Sequence, residues 1–420
     1  MQFTSLIRIL CLIALAALQV GAASFALKDG DRIVFYGDSI TDQRLYTTFA
    51  ETYVVTRFPK LDVSFVHSGW GGDRVTGGGG GPIDVRLRRD VFAYKPTVMT
   101  IMLGMNDGSY KTFDEKIFDT YAKGYQRIID SVKRELPGIR ITVIQPSPFD
   151  DVTQPAKFEG GYNSVLVRYS EFVKELAEKE KLGVADLNAP VVAALEKAKA
   201  TDAELAKKII PDRIHPGASG HLLMAAELLK SWQAPALVSA VEIDAKAKKV
   251  ADAKGTKVSD FKTSDAISWT QLDEALPMPV DLKDTVIALA VESSDFVQSL
   301  NQQTLKVTGL SSGNYTLKID DDESGSFTSE QLGQGINLAI LPTPMAKQSA
   351  QVHKLTLQHN NMHFQRWRQV QVPLEKNESA RVQKAVKDLM TALDDEEAEI
   401  VKQQRAVAQP TRHQFSVIPK

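Results

Sequence analysis

Two short segments far apart in the chain hold the residue types needed to activate a hydroxyl: Gly37-Asp38-Ser39-Ile40-Thr41 and Asp212-Arg213-Ile214-His215-Pro216. A serine hydroxyl is too weakly acidic to attack an ester at neutral pH unless an imidazole takes its proton and a carboxylate holds that imidazole. Ser39, His215 and Asp212 would fill those three roles. Two residues three apart on a tight loop can set a carboxylate beside one imidazole nitrogen and leave the other free as base. The chemistry would be acyl transfer.

Gly-Asp-Ser also makes ordinary turns, so the elements around it matter. Ile33-Val34-Phe35-Tyr36 is a run of strand formers that stops at the turn residues Gly37 and Asp38. Ser39 then falls where a buried strand meets a loop, which is where ligands bind in open α/β sheets. Val63–Val66 is a second short strand, leading into His67-Ser68-Gly69-Trp70-Gly71-Gly72-Asp73, whose glycines let backbone N–H groups approach a ligand. Thr97–Leu103 is a third strand, apolar enough to be buried on both faces, and it ends in Gly104-Met105-Asn106-Asp107.

These blocks, in this order, resemble those of the SGNH hydrolases, also called GDSL esterases, over roughly residues 28–232. The resemblance implies a three-layer α/β/α, flavodoxin-like parallel sheet and a carboxylic ester hydrolase that uses neither cofactor nor metal. It makes Ser39 the nucleophile, with its own N–H, the Gly72 N–H and the Asn106 amide as the oxyanion hole, and it makes Asp212 and His215 the orienter and base. Losing one such oxyanion donor typically costs about 3–4 kcal/mol of barrier. His67 is a departure, because an asparagine usually opens the second block of that family. The five-glycine run Gly77–Gly81 ahead of Pro82 is another. Such a run suits a mobile loop beside the site, or an ordered one pinned by ligand.

Trp70, Arg74 and the glycine run are expected to shape the substrate pocket, with Asp38 a further substrate-side candidate. Asp38 and Asp107 also read as residues that hold loops through side-chain to backbone hydrogen bonds, and a surface salt bridge explains Arg74 equally well.

Arg8 followed by the apolar run Ile9–Leu18 and the small residues Gly21-Ala22-Ala23-Ser24 reads as a bacterial export signal, too short for a comfortable membrane anchor. Cys11, the only cysteine, lies inside it. The exported protein, secreted or periplasmic, would therefore rely on its core rather than on disulfides. A net charge of −2 with both signs well mixed points away from a nucleic-acid partner, and no second long apolar run suggests a transmembrane helix.

At 420 residues the chain is long for one domain. Phe113–Leu136, Ser164–Lys181 and Ala218–Trp232 show helical periodicity, Ile141–Ile144 reads as a strand, and Ala189–Ile210 as an inserted helical segment. Strands alternating with helices imply a parallel sheet covered on both faces. The resulting division is a signal at 1–23, a hydrolase domain at 24–232, a β-rich module at 233–342 and a helical region at 343–420. The β-rich module rests on runs such as Val286–Val291, Thr304–Val307 and Tyr315–Ile319. The helical region rests on Pro344–Val370 and Glu378–Gln404. His353, His359 and His363 lie in the first of those helices, the last two at metal-ligand spacing. Without an acidic partner at a zinc-motif position, packed or solvated histidines explain them better.

The expectation is a secreted serine esterase acting on a small-molecule or polysaccharide ester, with polysaccharide deacetylation as one substrate class. Alternatives are a generic short-chain or lipid esterase, a non-catalytic glycan-binding protein, and an assembly role in which the C-terminal helices dock a partner.

Overall fold

The computed structural model of the protein describes residues 25–420. The expected export signal, with Cys11, lies outside them. The first half is built on five parallel strands, β1 (Asp31–Gly37), β2 (Val63–Gly69), β3 (Val98–Met102), β4 (Arg140–Ile144) and β5 (Gly183–Ala185), in the order β2-β1-β3-β4-β5. Alternate side chains of β1 show why helices cover both faces. Phe35 packs on Tyr46 and Trp232, whereas Tyr36 lies under the guanidinium of Arg86. The helices are α1 (Leu45–Arg57), α2 (Ile83–Asp90), α3 (Glu115–Glu135), α4 (Gly161–Glu180), α5 (Ala189–Thr201) and α6 (Ala218–Ser231). This is the expected parallel α/β/α sheet. Its order reverses between β1 and β3, the switch point at which such sheets open a crevice.

Two smaller sheets follow. Leu237–Asp244 (β6) pairs in parallel with Gln302–Thr308 in one of them. In the other, the last strand of the chain, Arg412–Pro419, lies between Ile267–Asp273 and Asn314–Ile319, antiparallel to both. Val241, Ile243, Leu305, Trp269, Leu317, Phe415 and Val417 form a shared second core, and Trp269 stacks on Phe415 at 5.1 Å.

Two expectations need correction here. Val286–Val291 is not a strand but the body of helix α7 (Thr285–Glu292), whose N-terminal N–H groups of Val286 and Ile287 are capped by Asp284 Oδ1. A short, continuous apolar run is ambiguous by periodicity, and the capping aspartate decides it. Residues 343–420 are not wholly helical either. After α8 (Pro344–Phe364) and α9 (Ala380–Val407) the chain returns as the Arg412–Pro419 strand. The β-rich half is thus completed by the end of the chain, and α8 packs on both α1 and α9. Among the described residues no helix is long and apolar enough to cross a membrane.

Candidate active site

Ser39 is the first residue of a single helical turn, Ser39–Asp42, at the C-terminal end of β1. Asp38 caps that turn, its Oδ1 accepting the Ile40 N–H at 3.0 Å. The first turn of a helix leaves its N–H groups without intrahelical partners, so the Ser39 N–H is available to a ligand. Gly72, in the loop after β2, has φ +76°, a left-handed conformation that a side chain would disfavour.

The loop before α6 brings the remaining groups. His215 Nε2 lies 2.8 Å from Ser39 Oγ, and His215 Nδ1 lies 2.7 Å from Asp212 Oδ2. A carboxylate only accepts, so Nδ1 carries the hydrogen and Nε2 presents its lone pair to the serine. Arg213, between them, takes φ +74°. In that tight turn Asp212 Oδ1 also accepts the backbone N–H of Ile214 at 2.9 Å and of His215 at 2.7 Å. Partial burial would raise the Asp212 pKa, but the donors from His215 and Ile214 outweigh it and hold the carboxyl below its ordinary value. Arg213 ties the loop down through Nη1 to Pro155 O at 2.7 Å, and Asp150 N–H donates to Arg213 O at 2.9 Å.

Asn106, after β3, donates from Nδ2 to Asp73 O at 3.0 Å and accepts at Oδ1 from Tyr110 Oη at 2.8 Å. These two bonds fix which way the amide faces. Asp107 Oδ1 accepts the Val75 N–H at 3.0 Å. Burial pushes the Asp107 carboxyl up to about 6 and the Asp38 carboxyl up to about 7.

Ser39, His215 and Asp212 are therefore joined in one hydrogen-bonded chain, with Gly72 and Asn106 on the two adjoining strand-end loops. Asp38 and Trp70, grouped in the sequence with substrate binding, are instead buried: Asp38 holds the Ser39 turn, and Trp70 lies beneath Arg368. Arg74 is exposed, and its backbone opens the glycine hairpin through Gly77 N–H to Arg74 O at 2.9 Å. The glycine run is an ordered two-residue hairpin, Gly77–Gly78 against Gly81–Pro82.

His67 turns its side chain to α1. It is buried there, with Nδ1 2.6 Å from Thr47 Oγ1 and Nε2 3.1 Å from Glu51 Oε2. Of the C-terminal histidines, His353 is 2.9 Å from Thr52 Oγ1 and His359 bridges Glu51 and Glu397 at 2.9 and 3.0 Å. His363 lies 3.6 Å from the same glutamate.

Sequence reasoning missed three residues. Tyr110 orients Asn106 from a left-handed backbone, φ +56°. Beside the His215 loop, His221 Nδ1 accepts the Tyr46 N–H at 3.2 Å, so its Nε2–H faces Gln43 Oε1 at 3.1 Å. Gln43 Nε2 in turn reaches Pro216 O at 3.5 Å. Burial pushes the His221 pKa down to about 3 and keeps the ring neutral. The partners of His221 and Gln43 are distant in sequence; Tyr110 lies four residues from Asn106 but in no motif that marks it.

With a nucleophile, a base, an orienter and donors on neighbouring loops, the arrangement can carry out acyl transfer. Residues 35–223 match the sequence model of the GDSL-like Lipase/Acylhydrolase family. An acetylxylan esterase of Geobacillus stearothermophilus is 25% identical over 228 residues, 48% of this chain and 93% of that protein. The fold of a gut microbial diltiazem-metabolizing enzyme superposes with a TM-score of 0.80 at 28% identity, covering 94% of this chain and 98% of the other. The crystal structure of the Geobacillus stearothermophilus esterase Axe2 covers 49% of this chain and 96% of its own, with a TM-score of 0.41 at 22% identity.

Proposed function

We propose that the protein is an exported serine esterase that hydrolyses carboxylic esters through an acyl-enzyme. The observation that carries this reading is the Ser39–His215–Asp212 chain, with 2.8 and 2.7 Å links, at the switch point of the parallel sheet. Ser39 Oγ attacks the ester carbonyl as His215 Nε2 takes its proton. The tetrahedral oxyanion is held by the N–H groups of Ser39 and Gly72 and by the Asn106 amide. His215 then protonates the leaving alcohol, and water repeats the sequence on the acyl-enzyme. Asp212, already ionised below its ordinary range, stabilises the imidazolium as it forms.

For the acyl group we favour acetyl. The acetylxylan esterase relative supports a polysaccharide acetate. A second reading, a small-molecule ester, is favoured by the likeness to the diltiazem-metabolizing enzyme, which spans both halves of the chain. The apolar run at residues 9–18 supports export.

Product analysis on acetylated xylan, diltiazem and p-nitrophenyl acetate, butyrate and octanoate tests the reading. Acetate release from xylan above an inert control supports the first substrate class. Turnover of diltiazem and p-nitrophenyl acetate, with xylan untouched, moves the assignment to small esters. A preference for octanoate would overturn acetyl specificity.

A further inference from the structure

Helix α8 does not stop where its α-helical bonding ends. After Phe364 it widens into a π-helical stretch, Gln365–Gln371, just ahead of Pro373, which has no N–H to give. Such turns are rare and concentrate at functional sites. This one delivers Trp367 and Arg368 onto the loop that carries Gly72.

The Arg368 guanidinium lies 3.1 Å from the centroid of the Trp70 ring. It is also 3.7 Å from Asp42 Oδ2, the oxygen that accepts the Gly71 N–H at 3.1 Å. Trp367 is buried edge-on against Trp70, 5.7 Å between ring centres, and its indole N–H donates to Asp90 Oδ1 at 2.6 Å. Asp90 pairs with Arg86, which reaches back through Nε to Asp73 Oδ2 at 2.7 Å and through Nη2 to Ser68 O at 2.8 Å. Arg86, Asp73 and Asp90 are all fully enclosed. A buried pair that loses a partner leaves an uncompensated charge, so the set holds one geometry. Gly80 closes the arrangement, since a Cβ there would come within 2.6 Å of the Trp70 indole.

Trp70 and Asp73 are thus held from both sides, with Gly71 and Gly72 between them. We propose that Trp367 and Arg368 are positioning residues for the reaction: the C-terminal segment clamps Trp70 and thereby keeps the Gly72 N–H aimed at the oxyanion. This rests on the esterase reading above. A misplacement of about 1 Å in such a donor can cost about 100-fold in rate.

The test uses the full chain carrying Arg368→Ala or Trp367→Phe. Turnover of p-nitrophenyl acetate is normalised to sites titrated with a fluorophosphonate, so that misfolded molecules drop out. Hydrogen exchange is followed in peptides covering residues 70–73 and, as reference, 98–102. With Arg368→Ala we expect kcat per titrated site to fall by about 10- to 100-fold with KM within about 2-fold. Exchange at 70–73 should rise by about 10-fold or more while 98–102 holds. Trp367→Phe, which keeps a ring but not the N–H, should fall between. An unchanged kcat per site, or unchanged exchange at 70–73, overturns the proposal. If the wild type neither turns over ester nor takes the label, the esterase reading has failed instead. The exchange measurement then decides the clamp alone, and no change there overturns it.

Discussion

Tyr110 shows how a single hydroxyl decides what a neighbouring amide can do. Its Oη bonds Asn106 Oδ1, and the second anchor, Asp73 O, takes an Asn106 Nδ2 hydrogen. The remaining amide hydrogen takes part in neither bond, and under the proposed esterase reading it is the one that would meet the oxyanion. Removing the hydroxyl frees the amide to rotate, so we expect Tyr110→Phe to lower kcat by about 10-fold with KM little changed, as befits a group felt mainly in the transition state. Steady-state kinetics on p-nitrophenyl acetate reads this directly, and an effect confined to KM would contradict it. Ser39, His215, Asp212, Gly72 and Asn106 were legible as candidates in the sequence because each stands in a local motif, and the first three are hydrogen-bonded together. Gln43 and His221 were not legible, since their partners come close only on folding, and Tyr110, four residues from Asn106, stands in no motif that marks it. Trp70 was legible as a pocket residue by type, yet the structure turns it into a buried strut.

At the scale of elements, the contact between α1 and the C-terminal helices is electrostatic at its centre. Glu51 of α1 accepts from His67, from His359 of α8 and from Gln404 of α9, and Glu397 of α9 lies against His359 and His363. Burial alone would lower the His359 pKa, but Glu51 and Glu397 overcome it and raise it to about 10. Its folded value lies above the unfolded one of about 6.5, so its stabilisation is fully present below pH 6.5 or so and is lost as pH rises through about 10. His67, buried and neutral, is pushed down to about 4 and acts in the opposite direction in acid.

We expect urea denaturation to show wild-type stability declining between pH 7 and 10, and His359→Gln to lose most of that slope. At pH 7 the variant should be weaker by about 3 kcal/mol, because Glu51 and Glu397 would be left buried without their cation. A variant with the wild-type slope would contradict this. The helix containing His359 was legible from its periodicity. Its ion pairs were not, because Glu51 lies 308 residues away.

Across the whole molecule, the two halves are interlocked rather than strung in series. The chain leaves the parallel α/β/α unit after α6 and builds most of two small sheets. It then crosses back over α1 as α8 and α9, and finishes as the central strand Arg412–Pro419. The alternating strand and helix pattern made the parallel sheet readable. The final strand was hidden because eight residues with no hairpin partner nearby carry little signal, and their pairing is non-local. Deleting residues 412–420 should open the facing edges of Ile267–Asp273 and Asn314–Ile319 and strip Phe415 and Val417 from the second core. We expect early proteolysis within residues 237–341 and loss of the near-ultraviolet signal of Trp269, and a deletion that melts like the full chain would contradict the interlock.

The most direct measurement of all is hydrolysis of p-nitrophenyl acetate by wild type and Ser39→Ala, purified and assayed side by side. If Ser39 is the nucleophile held 2.8 Å from its base, the variant should lose about four decades or more of kcat while melting like the wild type. Equal rates from the two proteins would contradict the role assigned to Ser39 and, with it, the acyl-enzyme mechanism.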